Sequence, residues 1–229
     1  MRRLLALLIV LATLAGCAAP PVAPDVAPEV RARAEAAVQR FAAVAGAVEP
    51  VAERECRALR PRSACDFRIL VDTRPGLPPN AYQTVDRRGR PIVAFTVPLV
   101  AQVRNADELA FIMSHEVAHH LLGHIERTRA DAEIGALTLG RLVTLSGGDR
   151  RAVRSAADLG ALLGARRYAK AYELEADALG TIIAARAGYD PVRGARFFER
   201  IPDPGDRFLG THPPNAARME LVRRVAATL

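Results

Sequence analysis

Hydrophobic residues recur at helical spacing over residues 30 to 48 and predict a helix there. These positions are Val30, Ala34, Val38, Phe41, Val44 and Val48. Proline suits the first turn of a helix, so a second, short helix is predicted to start at Pro50.

The pattern then changes to two β-prone segments, residues 65 to 72 and 90 to 97. A loop rich in proline, glycine and asparagine separates them, and together they predict a small sheet. Pro91 and Pro98 stand at the ends of the second segment and favour an edge position for it, because proline cannot donate to a β-ladder.

After Pro98 the spacing is helical almost to the end of the chain. Asn105 can cap a helix, and Glu108 three residues later completes a capping box, which predicts a helix over residues 106 to 124. Further helices are predicted at residues 129 to 146, 151 to 165, 167 to 187, 191 to 200 and 213 to 227. We therefore expect one mostly helical α+β domain over residues 30 to 229, with its small sheet before the 106 to 124 helix.

The run from Ile134 to Leu145 is strongly apolar but contains Arg141 and is followed by Gly147 and Gly148. It is shorter than a membrane-spanning helix. The pattern predicts a buried or lid-forming helix.

The beginning of the chain has the layout of a secretory signal peptide over residues 1 to 16, with arginines, an apolar run and then small residues. The sequence Leu-Ala-Gly-Cys ending at Cys17 resembles the lipobox of bacterial lipoproteins, which implies lipidation of Cys17 and a lipid anchor in a membrane. Ala18 resembles the residue of lipoproteins sent to the outer membrane. Residues 17 to 29 are rich in proline and alanine and are expected to form a tether.

The formal charge of +7 comes from arginines spread along the predicted helices, since Lys170 is the only lysine. A basic run with interleaved aromatic residues is missing, which argues against a nucleic-acid partner. Cys56 and Cys65 remain after the leader. In an oxidising compartment they are expected to form a disulfide, with two buried free thiols as the alternative.

Four of the five histidines lie within "FIMSHEVAHHLLGH", residues 111 to 124. His115 and His119 are four residues apart and share one face of the predicted helix, so both can bind one metal ion. Glu116 follows His115 and could take a proton from a water molecule at the metal. This is the H-E-x-x-H pattern of zinc hydrolases.

A third ligand is predicted within "YELEADALG", residues 172 to 180. Glu173 and Asp177 share a helical face, so Glu173 could bind the metal while Asp177 accepts a hydrogen bond from a ligand histidine. Two histidines and one glutamate favour zinc and leave a fourth position open to water.

These motifs, followed by "AGYDP" and "THPPNAARMEL", resemble the M48 family of zinc metallopeptidases in order and approximate spacing. The resemblance runs from about residue 80 to residue 218 and implies a zincin-like fold with one Zn²⁺ per chain. It implies His115, His119 and Glu173 as ligands and Glu116 as the base. The family often has Ser-Arg where this chain has Ala169 and Lys170, which keeps the positive charge without the forked geometry of arginine.

The resemblance also places His212 near the metal, where it could stabilise the oxyanion or occupy the fourth position in a resting form. His120 and His124 fall off the ligand face of the predicted helix, which favours packing or capping roles for both. Tyr172 is predicted to lie in the core.

We expect a zinc-dependent endopeptidase that cleaves unfolded or misassembled envelope proteins, held on the periplasmic side of the bacterial outer membrane. The substrate and the location follow from the family resemblance and the lipobox. The alternative is a lipoprotein chaperone or assembly factor with a structural or latent zinc site. The sequence leaves the oligomeric state open.

Overall fold

The first helix of the computed structural model, which describes residues 27–205, 210 and 212–229, is α1 (Pro28–Leu59). The predicted signal peptide, Cys17 and most of the tether lie outside the described residues. Pro50 lies inside α1, so the prediction of a second helix starting there is wrong. The buried face of α1 continues past the proline, and packing of that face outweighs the local cost of proline in a helix. It consists of Val44, Val48, Val51, Ala52 and Cys56.

The sheet has three strands, β1 (Arg68–Asp72), β2 (Ala81–Val85) and β3 (Pro91–Thr96), in the order β1-β3-β2. β3 pairs parallel with β1 and antiparallel with β2. The prediction that the second β-prone segment is an edge strand is therefore wrong, because β3 is central. β2 lies in a region predicted as loop.

The two prolines do not interrupt the central strand because neither occupies a ladder position that needs a donor. The pairing with β1 begins one residue later, at Ile92. Pro91 is opposite Val85, which lies between the hydrogen-bonded pairs of the antiparallel ladder. Pro98 lies beyond the strand, in the first turn of α2 (Val97–Gln102).

The remaining helices are α3 (Ala106–Leu121), α4 (His124–Leu145), α5 (Arg150–Arg167), α6 (Ala169–Arg186), α7 (Pro191–Ala195) and α8 (Asn215–Ala226), with a 3₁₀ turn at Arg196–Glu199. The predicted α+β class, mostly helical with a small sheet before α3, is confirmed. Asn105 caps α3 as predicted, accepting a hydrogen bond from the Glu108 N–H. The Glu108 carboxylate accepts the N–H of Arg104 rather than that of Asn105.

The core lies between α1, the sheet and α3, and α6 packs on another side of α3. Its largest fully buried side chains include Phe67, Phe95, Leu109 and Met113. Gly180 of α6 faces the backbone of α3, where a Cβ atom would lie 3.0 Å from both the N and the Cα atom of His115. His115 and His119, two metal-binding candidates, therefore lie on a helix that is packed closely against α6.

Helices α4 and α5 form an antiparallel hairpin with an exposed outer surface. Ile134, Leu137 and Leu145 are 63%, 74% and 75% exposed, so the buried alternative predicted for the 134 to 145 run is wrong, while the lid-forming alternative stays a prediction. α5 packs on the side of α4 that carries Gly135 and Gly140, where a Cβ atom added at Gly140 would lie 3.5 Å from the Cβ atom of Ala157. Among the described residues, none of the helices combines the length and the apolarity that crossing a membrane would require.

Cys56 at the C-terminal end of α1 forms a disulfide with Cys65 in the segment before β1, with 5.5 Å between the Cα atoms. The disulfide expected from the sequence is therefore present in the structure. The loop closed by this bond lies against α3, because the carbonyl oxygen of Ala64 is 3.3 Å from His120 Nε2.

Candidate metal centre

His115 and His119 of α3 and Glu173 of α6 bring their ligand atoms together, all within 4.8 Å of one another. The two Nε2 atoms are 3.0 Å apart. The Glu173 oxygens are 3.5 Å from His115 Nε2 and 3.4 Å from His119 Nε2. In a tetrahedral zinc site with bonds of roughly 2.0 to 2.1 Å, ligand atoms lie roughly 3.3 Å apart. The three side chains therefore fit a small divalent cation in chemistry and in spacing.

The ring of His115 is fixed from behind by Asp177. The Nδ1 atom of His115 is 2.9 Å from Asp177 Oδ1, which leaves Nε2 facing the cluster. Asp177 is completely buried. This is the contact with a ligand histidine that the sequence assigns to Asp177, and a carboxylate at this position sets the tautomer and orientation of the ring.

Arg218 of α8 neutralises Asp177 from the opposite side, donating hydrogen bonds of 2.7 Å to both carboxylate oxygens. One guanidinium nitrogen is also 3.5 Å from Glu173 Oε2. Burial opposes ionisation of Asp177, but its hydrogen bonds to Arg218 and His115 outweigh that effect and hold its pKa below the usual range. α8 thus supplies a positive charge next to the acidic residues of α6.

The electrostatics of the three candidate ligands are strongly coupled. Burial lowers the pKa of His115, but the Asp177 and Glu173 carboxylates outweigh it and raise that pKa. Burial raises the pKa of Glu173, but hydrogen bonds to His115, His119 and His212 outweigh it and lower that pKa far below its usual range. A metal ion would take the place of a proton in this cluster, so binding is expected to release protons.

The second imidazole, His119, is supported by another histidine. His119 Nδ1 is 2.8 Å from His124 Nδ1, and His124 Nε2 is 3.2 Å from Glu175 Oε2. The prediction that His124 lies off the ligand face assumed one continuous helix. α3 ends at Leu121 instead, and Gly123 with φ of 67° redirects the chain so that α4 begins at His124.

Burial lowers the pKa of His124 to about 4, and the hydrogen bond to Glu175 offsets this only in part. Its ring is stacked on Tyr172, with the centroids 4.8 Å apart. Tyr172 is buried as the sequence predicts. His120 contacts the Phe67 ring edge-on and is also buried, which agrees with a packing role.

A cavity of about 1020 Å³ opens beside the cluster. Glu116 and His212 both line it, together with the three candidate ligands. His212 is exposed, and its Nδ1 atom is 3.0 Å from Glu173 Oε2. The site thus has two candidate ligands from α3 and one from α6, and Glu116 and His212 face the same space.

Sequence reasoning did not assign roles to Arg218, Glu175 or His124 in this cluster. A signal for Glu175 was present, because it lies midway between Glu173 and Asp177 in "ELEAD". Arg218 follows the "HPPN" turn by three residues and projects inward only because α8 packs on α6. That packing has no local sequence signature.

The chain is similar to a known protein family and to a known protein. Residues 39–226 match peptidase family M48. A protein of Vibrio cholerae serotype O1, named as a beta-barrel assembly-enhancing protease, is 31% identical over 129 residues. The matched region covers 53% of this chain and 26% of the relative, so the chain spans about a quarter of that relative's length.

Proposed function

Because the chain belongs to peptidase family M48, as its motifs predict, we propose that it is a zinc-dependent endopeptidase with His115, His119 and Glu173 as metal ligands. The observation that carries this proposal is the convergence of the three ligand atoms at one wall of a cavity that Glu116 also lines. A cavity of this size accommodates several residues of an extended polypeptide, which suits an endopeptidase.

Zinc in this site would supply a Lewis acid that makes a water molecule more acidic and polarises the scissile carbonyl group. Glu116 takes the proton of the attacking water and delivers it to the leaving amine. Asp177 holds His115 in the tautomer that directs Nε2 toward the ligand cluster. Arg218 keeps Asp177 ionised for that task.

His212 has two possible roles, and its position against Glu173 Oε2 is compatible with each. It can donate a hydrogen bond to the oxyanion of the tetrahedral intermediate, which would make it a catalytic residue. It can also occupy the fourth ligand position in a resting form. Loss of the side chain lowers activity in the first case and raises it in the second.

The outer edge of β2 is a binding surface for an extended substrate, since an added strand would run along the cavity. The hydrogen bonds from Asp86 N to Arg90 O and from Thr96 N to Asn80 O fix the ladder. The intervening residues Ala81, Gln83 and Val85 therefore direct their main-chain groups away from β3. Ala81 and Gln83 also line the cavity. Strand addition of this kind selects unfolded chains over folded ones.

The substrates we propose are unfolded or misassembled proteins of the cell envelope. Support comes from the relative named as a beta-barrel assembly-enhancing protease and from the leader sequence. We further propose that residues 1 to 16 direct export and that a lipid on Cys17 anchors the protein at the periplasmic side of the outer membrane, with the domain beginning at about residue 30. Mass spectrometry of the membrane fraction tests the lipid on Cys17.

A chaperone or assembly factor with a latent zinc site is the second candidate. The contact between the exposed His212 and Glu173 favours it, because an imidazole in that place can keep the site closed. The two candidates differ in whether the resting protein cleaves a substrate at all.

The test combines zinc content with cleavage of casein by the soluble domain and by its Glu116→Gln and His212→Ala variants. We expect bound zinc in all three proteins and a loss of cleavage of roughly 10²- to 10⁴-fold in Glu116→Gln. Increased cleavage in His212→Ala would assign the gating role to His212. Zinc without cleavage in any variant would favour the chaperone, and correctly folded protein without zinc would refute the metal site.

A further inference from the structure

A second group of polar contacts runs from His119 through His124 to Glu175 and Arg127. His119 Nδ1 and His124 Nδ1 are 2.8 Å apart, and His124 Nε2 and Glu175 Oε2 are 3.2 Å apart. Arg127 pairs with both oxygens of the same carboxylate. We propose that His124 is a positioning residue that holds the imidazole of His119 in the orientation and tautomer needed for metal binding. The inference rests on the proposed metal site.

The direction of these hydrogen bonds follows from the role of His119. A histidine that binds a metal through Nε2 carries its hydrogen on Nδ1, so His119 donates from that atom. His124 Nδ1 must then accept, which places the hydrogen of His124 on Nε2. That N–H donates to the Glu175 carboxylate, and Arg127 keeps the carboxylate charged. Each imidazole nitrogen of His119 and His124 thus has a suitable partner, because each N–H has an acceptor and each unprotonated nitrogen has a donor or the metal.

The two ligand histidines are therefore supported in different ways. His115 has a buried carboxylate behind it, which Arg218 neutralises. His119 has a neutral imidazole as its acceptor, with the carboxylate one residue further away. The three acidic residues of "ELEAD" have separate roles. Glu173 faces the metal position, Asp177 holds His115 and Glu175 holds His124.

His124 is itself held so firmly that it can act as a fixed acceptor. It is buried, and its ring lies nearly parallel to Tyr172, with an angle of 14° between the planes. The contact uses the ring of Tyr172, whereas its hydroxyl group donates a separate 2.6 Å hydrogen bond to Asp131. The arrangement depends on the left-handed turn at Gly123, which brings the first residue of α4 back against the last turn of α3.

The test uses His124→Phe, which keeps the size and the stacking on Tyr172 but removes the acceptor. His124→Asn is the conservative variant, because its side-chain oxygen can take the place of Nδ1. Tyr172→Phe is the matched control, since it removes a hydrogen bond from the same cluster and leaves His119 untouched. The measurements are zinc affinity by competition with a chelator and the visible absorption spectrum of the cobalt(II)-substituted protein. Circular dichroism of the metal-free proteins verifies folding.

We expect His124→Phe to bind zinc roughly 10- to 100-fold more weakly and to change the cobalt spectrum. His124→Asn should recover much of the affinity, and Tyr172→Phe should match the unaltered protein. If His124→Phe does not fold, Glu175→Leu, which removes the next acceptor, should weaken zinc binding in the same direction.

Unchanged zinc affinity in folded His124→Phe, or in Glu175→Leu where that variant takes its place, would overturn the inference while leaving the metal site intact. An equal loss of zinc affinity in His124→Asn and His124→Phe would also overturn it. A loss of the same size in Tyr172→Phe would do so too. In both cases packing, and not the hydrogen-bond acceptor, would determine the affinity. Failure of the unaltered protein to bind zinc would refute the proposed metal site and this inference with it.

Discussion

Arg218 and Asp177 form a forked ion pair in which two hydrogen bonds of 2.7 Å join the guanidinium group to the two carboxylate oxygens. The Asp177 side chain is 0% exposed and that of Arg218 is 7% exposed. Arg218 also lies 4.0 Å from the centroid of the Phe198 ring. This pair ties α8 to α6 directly behind the candidate ligand His115, so it connects the stability of the fold with the geometry of the site.

Replacing Arg218 with methionine should destabilise the protein by roughly 3 to 5 kcal/mol, because a buried carboxylate loses its neutralising partner. Arg218→Lys keeps the charge without the fork, so its free energy of unfolding should lie between those of Arg218→Met and the unaltered protein. Urea denaturation of the metal-free proteins measures both. Equal stability of Arg218→Met and the unaltered protein would mean that the pair contributes nothing net to folding.

A second buried ion pair makes stability depend on pH. Glu108 is 2% exposed and accepts hydrogen bonds of 2.7 Å from two nitrogens of Arg200. Burial raises the pKa of Glu108, but hydrogen bonds from Arg200 and the Arg104 N–H outweigh burial and lower that pKa below 4.5. A pKa lowered by folding adds stability above the unfolded value, and that stability disappears as the pH falls through the folded value.

Glu108→Gln should therefore lower the free energy of unfolding by roughly 2 kcal/mol at pH 7. The difference from the unaltered protein should shrink as the pH falls below about 4.5. Denaturation curves at a series of pH values measure it. Glu199→Gln is the control. Glu199 forms an exposed ion pair with Arg196, and this pair should contribute less than about 0.5 kcal/mol to the free energy of unfolding. A Glu108→Gln effect that does not change with pH would exclude the ionised carboxylate as its source.

The helices and the candidate ligands could be predicted from the sequence because their signals are local. His115 and His119 are one turn apart, and the Asn105 cap fixes the start of their helix. The sequence-based predictions are wrong where contacts between residues far apart in the chain determine the structure. Pro50 is accommodated because the buried face of α1 extends past it, and β3 is central because β2 pairs with it. The burial of His124 agrees with its predicted packing role, but its contact with His119 could not be predicted, because one left-handed residue, Gly123, changes the helical phase.

The seam between α4 and α5 depends on glycines at the point of closest approach. A Cβ atom at Gly160 would lie 2.1 Å from the carbonyl oxygen of Gly135, so the two backbones would have to separate. Gly160→Ala should cost roughly 1 to 3 kcal/mol. Hydrogen exchange should become faster within the hairpin and remain unchanged in α1.

Gly46→Ala is the matched control for this substitution. Gly46 lies in α1, and a Cβ atom there would have nothing within 4 Å. The same change should therefore stabilise the protein by roughly 0.5 to 1 kcal/mol, because alanine favours the helix. Destabilisation by both variants to the same extent would contradict the packing explanation.

The proposed strand addition at β2 predicts that removing a single N–H group weakens substrate binding. Ala81 directs its N–H away from β3, so Ala81→Pro removes a donor from the outer edge without breaking a ladder bond to β3. KM for an unfolded protein such as casein should rise, while kcat for a short peptide that does not reach β2 should stay unchanged.

Ala81→Val keeps the N–H and is the control. Thr84→Pro removes a donor on the side of β3 and should lower the thermal unfolding temperature instead. Equal KM values for Ala81→Pro and Ala81→Val would exclude main-chain pairing at this position, because the two variants differ chiefly in that donor.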